Sequence, residues 1–272
     1  MEFIKSIILG IIQGITEWLP VSSTGHLLLA DELFSLKGGK DFVDMFMVVI
    51  QLGSILAVLS LYFHKLNPFS PKKTAPEKKS TWQMWFKVIA AVIPTAIAGL
   101  LLDDIIDTYA QKWYVIATTL IVYGILFIFL ENRNKKPLVE SIDDLSYKTA
   151  FLIGCCQILA LIPGTSRSGS TILGAVFLGT SRVVASEFSF FLAIPVMFGA
   201  SLLKVLKFVL NNGFAGADWG ILIVGTVVSY IVSVFAIKFL MNYIKKHDFK
   251  AFGWYRIVLG IVVISFFTLF QA

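Results

Sequence analysis

The sequence predicts an all-α polytopic membrane protein made of two inverted-topology repeats, each a re-entrant helical hairpin followed by three transmembrane helices. Three observations predict it: a composition too apolar for water, six apolar windows of membrane-spanning length, and two interrupted apolar segments that resemble each other. Of the 272 residues, 57% are hydrophobic and 15% charged, and mean hydropathy is +0.82. A soluble domain carries about 25% charged and roughly 45–50% apolar residues. A chain this apolar cannot cover its own surface with polar groups, which excludes a soluble enzyme, a disordered tail and a secreted disulfide scaffold. The net charge of +6 then reads as basic cytoplasmic loops, and no nucleic-acid partner is expected. The adjacent cysteines Cys155 and Cys156 are expected to be small buried hydrophobes rather than a redox or metal pair. The N-terminus has no basic region or small-residue cleavage site, so the first apolar segment is expected to be retained.

The first repeat, residues 1–131, opens with an apolar segment at 3–34 that is broken by Pro20-Val21-Ser22-Ser23-Thr24-Gly25-His26. Spans at 42–63, 83–102 and 113–130 follow, close to the roughly 20 residues that cross about 30 Å of hydrocarbon. The second repeat, 132–272, opens with a segment at 147–180 broken by Pro163-Gly164-Thr165-Ser166-Arg167-Ser168-Gly169-Ser170-Thr171, with spans at 188–210, 219–241 and 252–271. Trp82, Trp85, Trp113, Trp219 and Trp254 stand near span ends, where indoles anchor at headgroups. Both broken segments carry Gly-x-x-Gln (Gly10 to Gln13, Gly154 to Gln157), a proline, and Ser-x-x-Gly (Ser22 to Gly25, Ser166 to Gly169). Matched interruptions of this kind point to a site at the repeat interface. If both segments leave on the side they entered, loops 64–81, 132–148 and 242–256 share one face. Sixteen Lys/Arg then face the cytoplasm and six the outside, with Arg167 in the second break, as the positive-inside rule requires. Three spans per unit insert the second copy upside down, so the breaks meet at mid-depth, where irregular backbone needs protein or a water-filled cavity around it.

Gln13 and Glu17 stand four apart, on one helix face. A carboxylate in an apolar segment is costly and marks a functional site by default; the alternative is a helix-end glutamate at the headgroups. Ser22 and Ser23 are common turn formers, but His26 follows Ser23 by three residues, a spacing that permits a base-activated nucleophile. The second break offers backbone amides, hydroxyls and one guanidinium ahead of an expected helix N-terminus, which suits a phosphate group. The alternative is a loop whose arginine snorkels to the surface. The candidate phosphate-binding residues are Ser22, Thr24, Gly164, Thr165, Ser166, Arg167, Ser168 and Thr171. Together these residues suggest phosphoryl chemistry or phosphate-linked transport.

The stretch Gln13-Gly14-Ile15-Thr16-Glu17-Trp18-Leu19-Pro20-Val21-Ser22-Ser23-Thr24-Gly25-His26 closely resembles the first motif of the bacterial undecaprenyl-diphosphate phosphatases, the bacitracin-resistance family. Pro163 to Gly169 resembles its second motif; Val49 to Val58, and Glu187-Phe188-Ser189-Phe190 with Ala193 to Met197, also match in order and spacing. The resemblance implies hydrolysis of the terminal phosphate of the C55 isoprenoid diphosphate, which regenerates the monophosphate carrier for peptidoglycan synthesis and confers bacitracin resistance. It implies catalytic roles for Glu17, Ser23, His26 and Arg167. It also implies a divalent cation, Mg²⁺ or Ca²⁺, at Gln13 and Glu17. Gln13 is the amide variant of its position, so this motif supplies one charged ligand. Met47 stands where many members are acidic, and no role is expected of it. The implied partners are the polyprenyl diphosphate and membrane lipids, with a homodimer left open. The implied location is the bacterial plasma membrane, with the site opening to the outer face. Attack by Ser23 with His26 as base, and direct attack by water with His26 or Glu17 as base, both fit the residues. A transporter of a phosphorylated polyprenyl lipid is the alternative reading.

Overall fold

Helix boundaries follow polar caps rather than the edges of the apolar windows. A computed structural model describes residues 1–34, 36–37, 39–109, 112–133, 135–214 and 217–270, the side chains of 103–109 and 270 excepted. Helix α5 starts at Ala75, eight residues before its apolar window, because Thr74 and Glu77 form a cap: the Thr74 amide and hydroxyl both donate to Glu77 Oε2, at 2.7 and 2.8 Å. Such a box satisfies N-terminal amides that the helix itself leaves open. Helix α9 likewise starts at Arg182 rather than 188, because Ser181 Oγ accepts the Val184 amide at 3.2 Å. The expected loop 64–81 therefore holds the end of a short helix as well as the first turns of α5.

Eleven α-helices are described: α1 Glu2–Thr16, α2 Ser23–Phe34, α3 Lys40–Leu61, α4 Phe63–Leu66, α5 Ala75–Tyr109, α6 Trp113–Asn132, α7 Tyr147–Ile158, α8 Arg167–Phe177, α9 Arg182–Asn212, α10 Trp219–Ile244 and α11 Lys250–Phe270, with a 3₁₀ turn at Leu159–Leu161. Among the described residues there is no strand, only an isolated bridge between Val139 and Thr180. Among the described residues, six helices (α3, α5, α6, α9, α10 and α11) are long and apolar enough to cross a membrane. Large apolar side chains such as Leu101, Phe129, Leu203, Phe235 and Phe239 lie exposed along them, as expected where lipid is the solvent. The chain is a multi-pass membrane protein. Helices α1 and α2, and α7 and α8, are shorter: 15, 12, 12 and 11 residues. At 1.5 Å per residue none is long enough to cross about 30 Å. The stretch between the expected spans 83–102 and 113–130 is mostly helical rather than a loop, because α5 continues to Tyr109; residues 110 and 111 lie outside the described residues.

The packing has a regular pattern. α1 packs on α10 as α7 packs on α5; α3 packs on α10 as α9 packs on α5; α6 meets α8 as α11 meets α2. α3 crosses α9, and α6 crosses α11. Gly154 shows why α7 needs a small residue at its crossing: a Cβ there would lie 2.0 Å from the Ala91 carbonyl of α5. The main core joins Trp18, Val58, Val88, Ile172, Phe188, Phe191 and Leu240 around the two short-helix turns. Cys155 and Cys156 are half-buried free thiols, less enclosed than expected; Gly174 of α8 packs against Cys156.

Candidate active site

Each short-helix pair turns through a strained serine. Ser22 has φ 73° and Ser166 φ 72°, a region that costs a non-glycine residue about 1–3 kcal/mol. The strain is offset locally: Ser22 Oγ accepts the Gly25 amide at 3.4 Å, and Ser166 Oγ accepts the Gly169 amide at 3.1 Å. Those bonds cap α2 and α8. The two turns are also joined to each other. Ser168 Oγ, in the second, donates to the Glu17 carbonyl at 3.0 Å. Arg256 of α11, fully buried, donates to Pro20 O (3.2 Å) in the first turn and to Gly164 O (2.8 Å) and Thr165 O (3.0 Å) in the second. Gly164 sits at φ +86°, and a Cβ there would lie 2.2 Å from Thr119 Oγ1, so only glycine fits this turn.

Between the turns is a cavity of about 200 Å³, with Glu17 and Arg167 in its wall. Arg167 Nη2 donates to Glu17 Oε1 at 2.9 Å, and its Nη1 donates to the Ser189 carbonyl at 2.8 Å and to Ser189 Oγ at 3.2 Å. The guanidinium lies 5.4 Å over the Trp18 ring, a cation–π contact that helps fix its plane. The second carboxylate oxygen, Glu17 Oε2, accepts from Gln13 Nε2 (2.9 Å) and Ser23 Oγ (3.2 Å). Both partners of the ion pair are largely buried, with side-chain exposures of 13% and 7%. Arg167 Nε and Thr165 Oγ1 are buried without a partner. The open Nε–H of the guanidinium in the cavity wall is what an arriving oxyanion satisfies.

The site thus brings together residues 150 positions apart. Of the residues expected from sequence, Glu17, Ser23, Thr24, Gly164, Ser166 and Arg167 line the cavity; Gln13, Ser22, His26, Thr165, Ser168 and Thr171 do not. Gln13 positions Glu17. Thr171 Oγ1 hydrogen-bonds Ser189 Oγ at 2.6 Å, holding the residue that receives Arg167. The expected serine–imidazole pair is not formed. His26 Nδ1 bonds the Ser22 carbonyl at 2.7 Å and Nε2 bonds the Tyr255 hydroxyl at 2.7 Å, the two rings lying parallel. With Nδ1 donating to a carbonyl, a neutral ring accepts at Nε2. Ser23 bonds Glu17 instead.

Sequence reading assigned no role to several residues found here. Gln51, Thr95, Gln157 and Met197 line the cavity, and Gln157 Nε2 donates to Thr95 Oγ1 at 3.0 Å. The signal available was the cost of an amide inside an apolar segment. Arg256 carried a misleading signal: counted with the basic loop 242–256, it lies seven residues into α11 and is fully enclosed.

For a divalent cation the donor set is small but suitable. Among the described residues there is no group of three or more His, Cys, Asp or Glu. Gln13 gives its amide nitrogen to Glu17 Oε2 and leaves its Oε1 buried with no partner, while the Ser23 hydroxyl bonds the same carboxylate oxygen. The hard-oxygen donors here are therefore the Glu17 carboxylate, the Ser23 hydroxyl and the unpartnered Gln13 Oε1. Mg²⁺ is commonly held by one or two carboxylates, with water and phosphate oxygens completing the shell. These residues fit such an ion.

In comparisons with known proteins, the family model described as Bacitracin resistance protein BacA matches residues 6–262. An undecaprenyl-diphosphatase of Limosilactobacillus fermentum is 60% identical over 272 residues, covering 99% of both chains. One from Enterococcus faecalis is 58% identical over 265 residues, 96% of each. Undecaprenyl-diphosphatase 1 of Clostridioides difficile is 59% identical over 269 residues, 99% of this chain and 97% of its own.

Proposed function

This chain belongs to the bacitracin resistance protein BacA family, and we propose that it hydrolyses undecaprenyl diphosphate to undecaprenyl phosphate and phosphate. That reaction recycles the carrier lipid for peptidoglycan synthesis, and bacitracin resistance follows from it. The observation that carries the reading is the Glu17–Arg167 pair, with Ser23 on the same carboxylate, in one cavity between two strained turns. The names of the relatives supply the substrate.

The polyprenyl tail lies among the apolar helices while the diphosphate enters the cavity. Arg167 holds the terminal phosphate through its open Nε, with Thr24 and Ser166 in the wall of the same cavity. Fixed donors of this kind stabilise charge as it grows on the equatorial oxygens in the transition state. Ser23 Oγ attacks the terminal phosphorus in line. A new Oγ–P bond forms, the bridging P–O bond breaks, and the monophosphate leaves. Ser23's proton passes to Glu17 Oε2, to which it already points. Glu17 hands that proton to the departing monophosphate oxygen and is again a carboxylate. Water then attacks the phosphoserine with Glu17 as base, the P–Oγ bond breaks, and Glu17 returns the proton to Ser23 Oγ. His26, bonded to Tyr255, orients the first turn of α2 by holding the Ser22 carbonyl. A divalent cation held by Gln13 Oε1 and Glu17 would offset charge on the phosphate oxygens.

We read the fold around this site as two inverted units, with α1–α2 and α7–α8 as re-entrant hairpins. Their short length, their paired strained serines and the exchange-related packing support that reading. The basic loops then face the cytoplasm, and the site opens to the outer face. The test is phosphate release from C55 diphosphate by purified protein in detergent, with and without chelator. Release in the absence of any vesicle supports the enzyme; no release with any divalent cation would leave a carrier of the same lipid.

A further inference from the structure

Helix α8 runs from Arg167 at the site to Phe177, ten residues or about 15 Å away. There a second cavity, of about 840 Å³, opens beside Arg133, Lys135, Lys136, Arg182 and Lys245. Its floor is built rather than incidental. The segment after α6 is clamped to the α8–α9 turn by the Leu138 amide on Gly179 O (2.7 Å) and the Ser181 amide on Val139 O (2.8 Å). The N-terminus of α9, a 31-residue helix, meets the cavity at Ser181 and Arg182. Its only carboxylate among the described residues, Glu131, is already committed: it takes Arg182 Nε at 2.9 Å and the Phe249 amide at 3.1 Å. Lys135, Lys136 and Lys245 are exposed, and no ion pair joins them among the described residues. Thr180, also in the wall, is buried with its hydroxyl unpartnered. On the rim, Phe177 and Leu138 are 62% and 86% exposed, with the Arg133 guanidinium 5.1 Å over the Phe177 ring.

Surplus positive charge, a helix N-terminus and an open buried donor match a phosphate oxyanion. The exposed apolar rim on a chain that lives in lipid matches what an amphiphile adds to that phosphate. We propose that this cavity binds the phosphate headgroup of an anionic membrane lipid, its chains lying over Phe177 and Leu138. Basic pockets between helices on the cytoplasmic side hold such headgroups by the same forces. The proposal concerns a site separate from the Glu17–Arg167 cavity and does not depend on hydrolysis there.

The test uses the full-length protein in neutral detergent, titrated with phosphatidylglycerol, phosphatidylcholine or inorganic phosphate and followed by native mass spectrometry. The wild type is compared with the triple variant Lys135→Gln, Lys136→Gln, Lys245→Gln. The wild type should retain one phosphatidylglycerol in preference to phosphatidylcholine, and the variant should weaken that binding roughly 10–100-fold, with melting temperature and phosphate release from C55 diphosphate unchanged. Persistence of the bound lipid in millimolar phosphate identifies the lipid as the source. Binding of inorganic phosphate to the wild type alone, without lipid preference, identifies free phosphate as the source of the same chemistry. Equal binding of every probe by wild type and variant overturns the site.

Discussion

Arg256 is the residue whose removal should loosen the two turns from each other. It donates to three carbonyls, Pro20 O, Gly164 O and Thr165 O, from a fully buried position. Arg256→Met keeps an apolar stem of similar reach and deletes all three bonds. A hydrogen bond to a charged group is worth about 1.5–3 kcal/mol, but burying the guanidinium costs much of that back. A net loss of about 2–5 kcal/mol is therefore expected. Unfolding entropy of about 2 cal/mol/K per residue over 272 residues converts that to a fall of about 4–9 °C in melting temperature. The two turns would also lose their shared register, and a misplacement of about 1 Å can cost 10²-fold in rate. The assay is detergent melting and phosphate release on the same preparation. Arg256→Lys, which reaches fewer carbonyls at once, should fall between. Wild-type melting together with wild-type turnover in Arg256→Met would refute the bridging role.

Three other outcomes are expected. Ser23→Ala should lower phosphate release by on the order of 10²-fold or more, and acid quenching of the wild type should trap phosphoserine at Ser23; turnover at the wild-type rate would mean that water attacks directly. Gly154→Ala should separate α7 from α5, because the new Cβ meets the Ala91 carbonyl at 2.0 Å. A loss of roughly 1–3 kcal/mol, typical of overpacking, should lower the melting temperature, and an unchanged melt would show that the crossing can relax. A cysteine at Lys79 should react only with cytoplasmic reagent and one at Asn211 only with an impermeant outer reagent; the reverse pattern inverts the topology.

The spans were legible because about 20 apolar residues are a signal of composition, and the two breaks because proline, glycine and hydroxyl clusters interrupt that signal. Helices begin at Ala75 and Arg182, ahead of the apolar spans at 83–102 and 188–210, because Thr74, Glu77 and Ser181 act through capping geometry, which a hydropathy window averages away. Glu17 and Arg167 were legible singly as costly charges in apolar surroundings. Their contact was less so, since 150 residues separate them. The serine–imidazole expectation failed for a related reason. Spacing allowed the pair, but a backbone carbonyl four residues back and Tyr255, 229 residues away, took both ring nitrogens. Arg256 was hidden by its place near a basic loop, where charge counting treats every arginine as solvated.

Glu17 and Arg167, from two separate turns, are expected to work as one catalytic unit. The measurement is kcat/KM for C55 diphosphate with the wild type, Glu17→Gln, Arg167→Gln and the double variant, each checked for folding by its melt. Each single change should cost on the order of 10²–10³-fold. The double should be little worse than either, because residues that act as a unit are non-additive and removing both charges leaves neither stranded in the interior. Losses that simply multiply, or a single variant with wild-type turnover, would contradict that coupling.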